Sequence, residues 1–153
     1  MAAASSPTAN ITQIVPFLGV TDMERSLRFY LDGLGFTLKN KWEPEARIRW
    51  CWLTRGGASI MLQEFLKEGH GGLRPEGALG QGVNLCFQCE DALALYREFR
   101  SRGLEPSEPF VGNNMWVTSL RDPDGYRVEF ESVTDAREEM TLSEFEARKP
   151  NRG

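Results

Sequence analysis

At 153 residues the chain has room for one ordinary domain or for two small modules sharing a sheet, and not for two full-sized domains. Its 41% hydrophobic and 26% charged residues, with 15 Gly and 8 Pro to supply turns, are those of a globular protein rather than a disordered one. A formal charge of -4 without a dense Lys/Arg cluster excludes a nucleic-acid binder, because neutralising phosphates needs a basic face.

The first ten residues, MAAASSPTAN, carry no basic segment and no apolar core, and no later run approaches the roughly 18 apolar residues of a membrane span. The expectation is a disordered stretch over 1–10, a cytoplasmic location and no membrane partner. Three cysteines are an odd count and make no secreted disulfide framework, so reduced thiols are expected.

From residue 11 the pattern is apolar, Ile11 to Leu18, and reads as a strand. Thr21-Asp22 then precedes Met23, Leu27, Tyr30, Leu31 and Leu34 at helical spacing, with Asp22 as N-cap and Gly33 or Gly35 as stop. Strands are expected over Phe36 to Trp42, Arg47 to Leu53 and, after the Gly56-Gly57 turn, Ala58 to Phe65. The second half repeats the order. Val83 to Cys89 reads as a strand and Glu90-Asp91 caps a helix bearing Ala92, Leu95, Tyr96 and Phe99. A Pro-broken strand over Leu104 to Phe110 follows, then Met115 to Leu120, the Asp-Pro-Asp-Gly turn, and Tyr126 to Ser132. Asp22 and Asp91 are 69 apart (91 − 22), and the turn glycines Gly57 and Gly125 are 68 apart (125 − 57). The repeat predicts a βαβββ module written twice: module one over 11–65, a Gly-rich linker over 66–82 that is a surface connection or a lid, and module two over 83–133. A polar tail, 134–153, has a capping-box spacing at Thr141 to Glu144 and is expected to dock on the body or on a partner subunit.

The segments VPFLGVTDMERSLRFYLDGLGF and DPDGYRVEFES, in that order around a Gly-Gly hairpin, resemble the vicinal oxygen chelate superfamily. That group holds glyoxalase I, bleomycin-resistance proteins, fosfomycin-resistance enzymes and extradiol dioxygenases. The resemblance covers roughly residues 11 to 133, and its character is closest to the bleomycin-resistance-like branch. It implies an α+β fold of paired βαβββ modules forming a concave mixed sheet, a homodimer, and a ligand held in the concavity.

In metal-dependent members the ligands come from the first and last strand of each module, which by spacing implies Val15, Met61, Asn84 and Glu129 here. Only Glu129 is a good ligand, whereas a catalytic metal usually takes at least three donors from protein. The single histidine, His70, sits in the linker and is read as an incidental loop residue, so a two-His-one-carboxylate triad cannot be built within one chain. No metal or other cofactor is therefore expected. The alternative is one divalent ion held by Glu129 with Gln13 or Gln63, which strand alternation puts on the face of Val15 and Met61.

If Met61, Asn84 and Glu129 point inward, as the resemblance implies, alternation and pairing across the Gly-Gly turn add Trp50 and Trp52 near Met61 in module one, and Gln88 beside Asn84 with Trp116 and Thr118 opposite Glu129 in module two. Aromatic walls with a few polar groups suit a small molecule. Without a metal, Glu129 would need solvation, a nearby base such as Arg127 or Arg47, or a cationic ligand. With no G-x-S-x-G motif and no usable histidine, no catalytic residue is expected. The function expected is sequestration of an aromatic, cationic small molecule, as bleomycin-resistance proteins bind antibiotic. The alternative is a metal-dependent glyoxalase I-type lyase or isomerase.

Overall fold

The computed structural model describes residues 7–66 and 72–148; His70 lies outside them. Module one runs β1 (Phe17–Val20), α1 (Met23–Leu27), which widens into a π-helical turn over Arg28–Gly33, then β2 (Thr37–Trp42), β3 (Trp50–Arg55) and β4 (Ala58–Glu64). Module two runs β5 (Asn84–Gln88), α2 (Ala92–Ser101), β6 (Phe110–Gly112), β7 (Met115–Arg121) and β8 (Arg127–Val133). Each makes a four-stranded sheet, ordered β1-β4-β3-β2 and β5-β8-β7-β6. The first strand lies parallel to the last and the other neighbours are antiparallel. The fold is α+β, with βαβββ twice, as the repeat predicts.

Local chemistry sets the elements. Asp22 and Asp91 adopt extended backbone and accept from the third amide of the following helix, at 3.2 and 2.9 Å. Two boundaries differ from expectation. β1 begins at Phe17 rather than Ile11, because Pro16 cannot donate to a ladder and Ile11 and Ile14 are 88% and 90% exposed, with nothing to pack against. Residues 104–109 form no strand, since Pro106 and Pro109 interrupt them; β6 starts at Phe110 and turns into β7 through Asn113-Asn114, both at positive φ as a tight hairpin requires.

The core joins the modules. Leu18, Val20, Leu53, Ile60 and Leu62 from the first sheet pack with Leu120, Val128 and Phe130 from the second, and Tyr30 and Phe99 fill the space between. Polar contacts tie the same seam. The Tyr30 hydroxyl donates to Asp122 Oδ2 at 2.8 Å, and Asp122 Oδ1 accepts from the amides of Asp124 and Tyr126. Tyr126 donates to the Gly19 carbonyl at 2.9 Å, and Arg55 grips Glu98 through two nitrogens. Burial pushes the Asp122 carboxyl up despite its hydrogen bonds, whereas the Arg55 bond holds Glu98 low. Buried Glu64 accepts from the Met23 amide at 2.9 Å and pairs with Arg47 and Arg49, so it locks α1 onto the end of β4.

The tail docks on the chain's own body. Thr141 and Glu144 form the expected capping box at the start of α3 (Leu142–Ala147). Met140 and Leu142 pack with Val111 and Trp116, and Phe145 meets Trp116 edge-on at 5.4 Å. No helix among the described residues is long and apolar enough to cross a membrane.

Candidate ligand site

Each sheet buries one face in the core and leaves the other uncovered. In β3 and β4 the buried set is Cys51, Leu53, Ile60 and Leu62, so alternation directs Trp50, Trp52, Met61 and Gln63 to the open face. The register pairs Trp52 with Met61, Trp50 with Gln63, Trp42 with Trp50, and Phe17 with Met61. Three of the four tryptophans therefore share one wall with Phe17. Trp42 is 47% exposed, and the Trp52 Nε1 is buried without a hydrogen-bond partner among the described residues. Lys39 Nζ stands 5.1 Å from the centre of the Trp52 ring, so an internal cation already occupies one aromatic face.

The open face of the second sheet is polar. Val128, Phe130 and Ser132 go to the core, leaving Arg127, Glu129 and Glu131 on the other side of β8. Cys86 and Ser119 flank Glu129, and Gln88 and Val117 flank Glu131. Asn84 Nδ2 donates to Glu129 Oε2 at 2.9 Å and Arg127 Nη2 reaches the same oxygen at 3.3 Å. Gln88 donates to Glu131 and, at 3.4 Å, to the Cys86 sulfur. Burial, then Glu131 and Glu129, push the Cys86 thiol up to about 12 although its residue surface is open. It is therefore a poor nucleophile. Where the sheets meet, a cleft of about 830 Å³ is bounded by Phe36, Arg55 and the Gly56-Gly57 turn on one side and by Cys86, Gln88 and Asp91 on the other.

Six of the seven expected site residues lie on these open faces: Trp50, Trp52, Met61, Asn84, Gln88 and Glu129. Trp116 does not. Its ladder partner is Ser132, and it is 5% exposed within the cluster under α3. Ser119, rather than Thr118, is opposite Glu129, and a one-residue change of register turns a side chain to the other face. Nor does Glu129 stand unpaired, which removes the reason for expecting a cation to meet it. Among the described residues the carboxylate on this face without a cationic partner is Glu131, which alternation from Glu129 could have revealed. Trp42 was missed because a bulge between Leu38 and Asn40 shifts the β2–β3 register.

The positions implied for a family metal do not form a donor set: Val15 precedes β1, Met61 offers a thioether, and Asn84 and Glu129 belong to the other sheet. Gln63 shares the wall of Met61, and Gln13 lies before β1 outside any strand. A different trio converges instead, with one ligand atom each of Cys86, Glu129 and Glu131 lying within 4.8 Å of one another.

The structure resembles TioX from Micromonospora sp. ML1, with a TM-score of 0.65 at 19% identity over 80% of this chain and 98% of that one. It also resembles a glyoxalase/bleomycin resistance protein/dioxygenase from Nocardioides, with a TM-score of 0.60 at 20% identity over 86% and 91%. TnmS3, an antibiotic binding protein from Streptomyces sp. CB03234, matches with a TM-score of 0.57 at 18% identity over 80% and 98%. These likenesses concern the fold. No curated protein matches the chain in sequence. The family model of the glyoxalase/bleomycin resistance protein/dioxygenase superfamily matches residues 10–130, and the chain belongs to that superfamily.

Proposed function

We propose that the protein is a small-molecule binder that sequesters a planar aromatic compound on its open sheet faces, without making or breaking a bond. The observation that carries this reading is the clustering of Trp42, Trp50 and Trp52 on one uncovered wall, with an enclosed indole N–H that has no partner among the described residues. Ring stacking supplies affinity, and the orphan Trp52 N–H favours a ligand with an oxygen or nitrogen acceptor near its ring. Asn84, Gln88 and Glu129 then fix the polar edge, and a cationic substituent would pair with Glu131 rather than with Glu129. The antibiotic-binding description of TnmS3 agrees with this reading, as does the family's name. Phe17, Trp42, Phe110 and Val133 are exposed apolar side chains on the two open faces, an arrangement that suits closure of the site by a second copy in a homodimer.

The test is tryptophan emission titrated with bleomycin and with a panel of planar aromatic compounds. Saturable quenching that Trp52→Ala weakens supports the reading, and an unchanged spectrum across the panel at millimolar concentration sinks it. The second reading, a metal-dependent glyoxalase I-type lyase, draws on the convergence of Cys86, Glu129 and Glu131. Stoichiometric transition metal in protein purified without chelator, lost in Glu129→Ala, would favour it. Protein without metal that gains no thermal stability from added Ni, Zn, Mn or Fe would remove it.

A further inference from the structure

Beyond Glu129, towards the Asp-Pro-Asp-Gly turn, the open face of the second sheet ends in two arginines. Arg121 and Arg127 are direct partners across the β7–β8 ladder, so two cationic side chains leave the same face at neighbouring positions. Like charges at that spacing destabilise a sheet unless an opposite charge lies between or beside them. Arg127 receives one such contact, to Glu129 at 3.3 Å, but its Nε is buried and lacks a hydrogen-bond partner among the described residues. Arg121 bonds only the Gly125 carbonyl of its own turn, at 3.0 Å, and has no carboxylate partner among the described residues.

Both arginines line a cleft of about 660 Å³ closed on its other side by residues 78–83, with Asn84 at its edge. Tyr126 packs against Gly80 of that segment, where an added Cβ would come within 2.6 Å of the ring. One carboxylate, Asp124, also lines the cleft; its Oδ2 is engaged by the Thr21 amide at 3.1 Å. The arginines are thus the donors left with spare capacity, and a guanidinium fork matches the paired oxygens of an oxyanion.

We propose that this cleft binds the oxyanion group of a small molecule, a carboxylate or a phosphate, through Arg121 and Arg127. The cleft contains no tryptophan and adjoins the proposed ligand site only through Asn84 and the Arg127–Glu129 pair, so anion binding there stands whether or not an aromatic ligand binds the tryptophan wall. Asp124, as a like charge to the ligand, weakens the affinity for a simple anion.

Side-chain Nε–H resonances of arginine, followed by 1H–15N NMR, test this directly. Inorganic phosphate replaces chloride at constant ionic strength in one arm, and acetate does so in the other. The Arg121 and Arg127 signals, assigned with Arg121→Gln and Arg127→Gln, are expected to shift saturably with at least one anion; the arm that saturates tells phosphate from carboxylate. Arg121→Gln, at an exposed position, should weaken that binding at least about tenfold while its backbone spectrum stays folded. Asp124→Asn should tighten it. Non-saturating drift with both anions, or unchanged affinity in folded Arg121→Gln, would overturn the proposal.

Discussion

The two open faces share one topology and differ in nearly every side chain. Where the first sheet has Phe17 beside Met61, the second has Cys86 beside Glu129. The first sets Trp50 beside Gln63 and Trp52 beside Met61, whereas the second sets Val117 beside Glu131 and Ser119 beside Glu129. The core faces remain more alike, both mostly apolar and meeting in one shared cluster, although Val111 and Trp116 of the second sheet pack separately beneath α3. Packing therefore constrains one side of each duplicated strand, and the other side is free to become an aromatic wall in one copy and a polar wall in the other.

Tryptophan substitutions break this comparison most sharply. Trp116→Ala should lose about 3–5 kcal/mol of stability, because it empties a packed position beneath α3, and it should leave ligand affinity unchanged in protein that remains folded. Trp52→Ala should do the reverse, with less than about 2 kcal/mol lost from stability but about 2 kcal/mol or more lost from binding of any stacked ligand. Urea denaturation and fluorescence titration of the two variants separate these outcomes; equal losses of stability would mean that the walls have been assigned to the wrong faces.

Smaller effects sharpen the polar side. Glu129→Gln removes the Arg127 pair but keeps an acceptor for Asn84, so its stability should change by no more than about 1 kcal/mol. A larger loss by chemical denaturation would make Glu129 a structural residue. At the seam, Arg55 holds Glu98 below its usual range, so its contribution is present above the unfolded value near 4.5 and is lost as pH falls through the lower folded value. Glu98→Gln should cost about 0.5–1 kcal/mol at pH 7, and the gap to the parent protein should narrow as pH falls below 4.5. A gap that stays constant with pH would assign the effect to packing.

Much of this was legible in the chain. The 69- and 68-residue offsets announced the duplication, Asp22 and Asp91 marked both helix starts, and the Gly-Gly turn brought Trp52 beside Met61. Alternation and the hairpin pairing, anchored on Met61 as the resemblance implied, carried Trp50 and Trp52 to the open face, and the resemblance itself placed Glu129 there. What failed did so where register depends on distant pairing: Trp116 was placed one residue out of phase, and the β2 bulge concealed Trp42. Arg127, two residues from Glu129, was legible as its base, but the Asn84 contact was not, because Asn84 is 45 positions away and meets Glu129 only through the parallel β5–β8 ladder.

The most direct measurement uses the four indole N–H resonances of Trp42, Trp50, Trp52 and Trp116, followed by 1H–15N NMR during titration with whichever planar compound quenches emission most strongly. An aromatic site on the first open face predicts saturable shifts at Trp42, Trp50 and Trp52, largest at Trp52, with Trp116 unmoved. Shifts centred on Trp116, or saturable quenching that leaves the other three indoles in place, would contradict it.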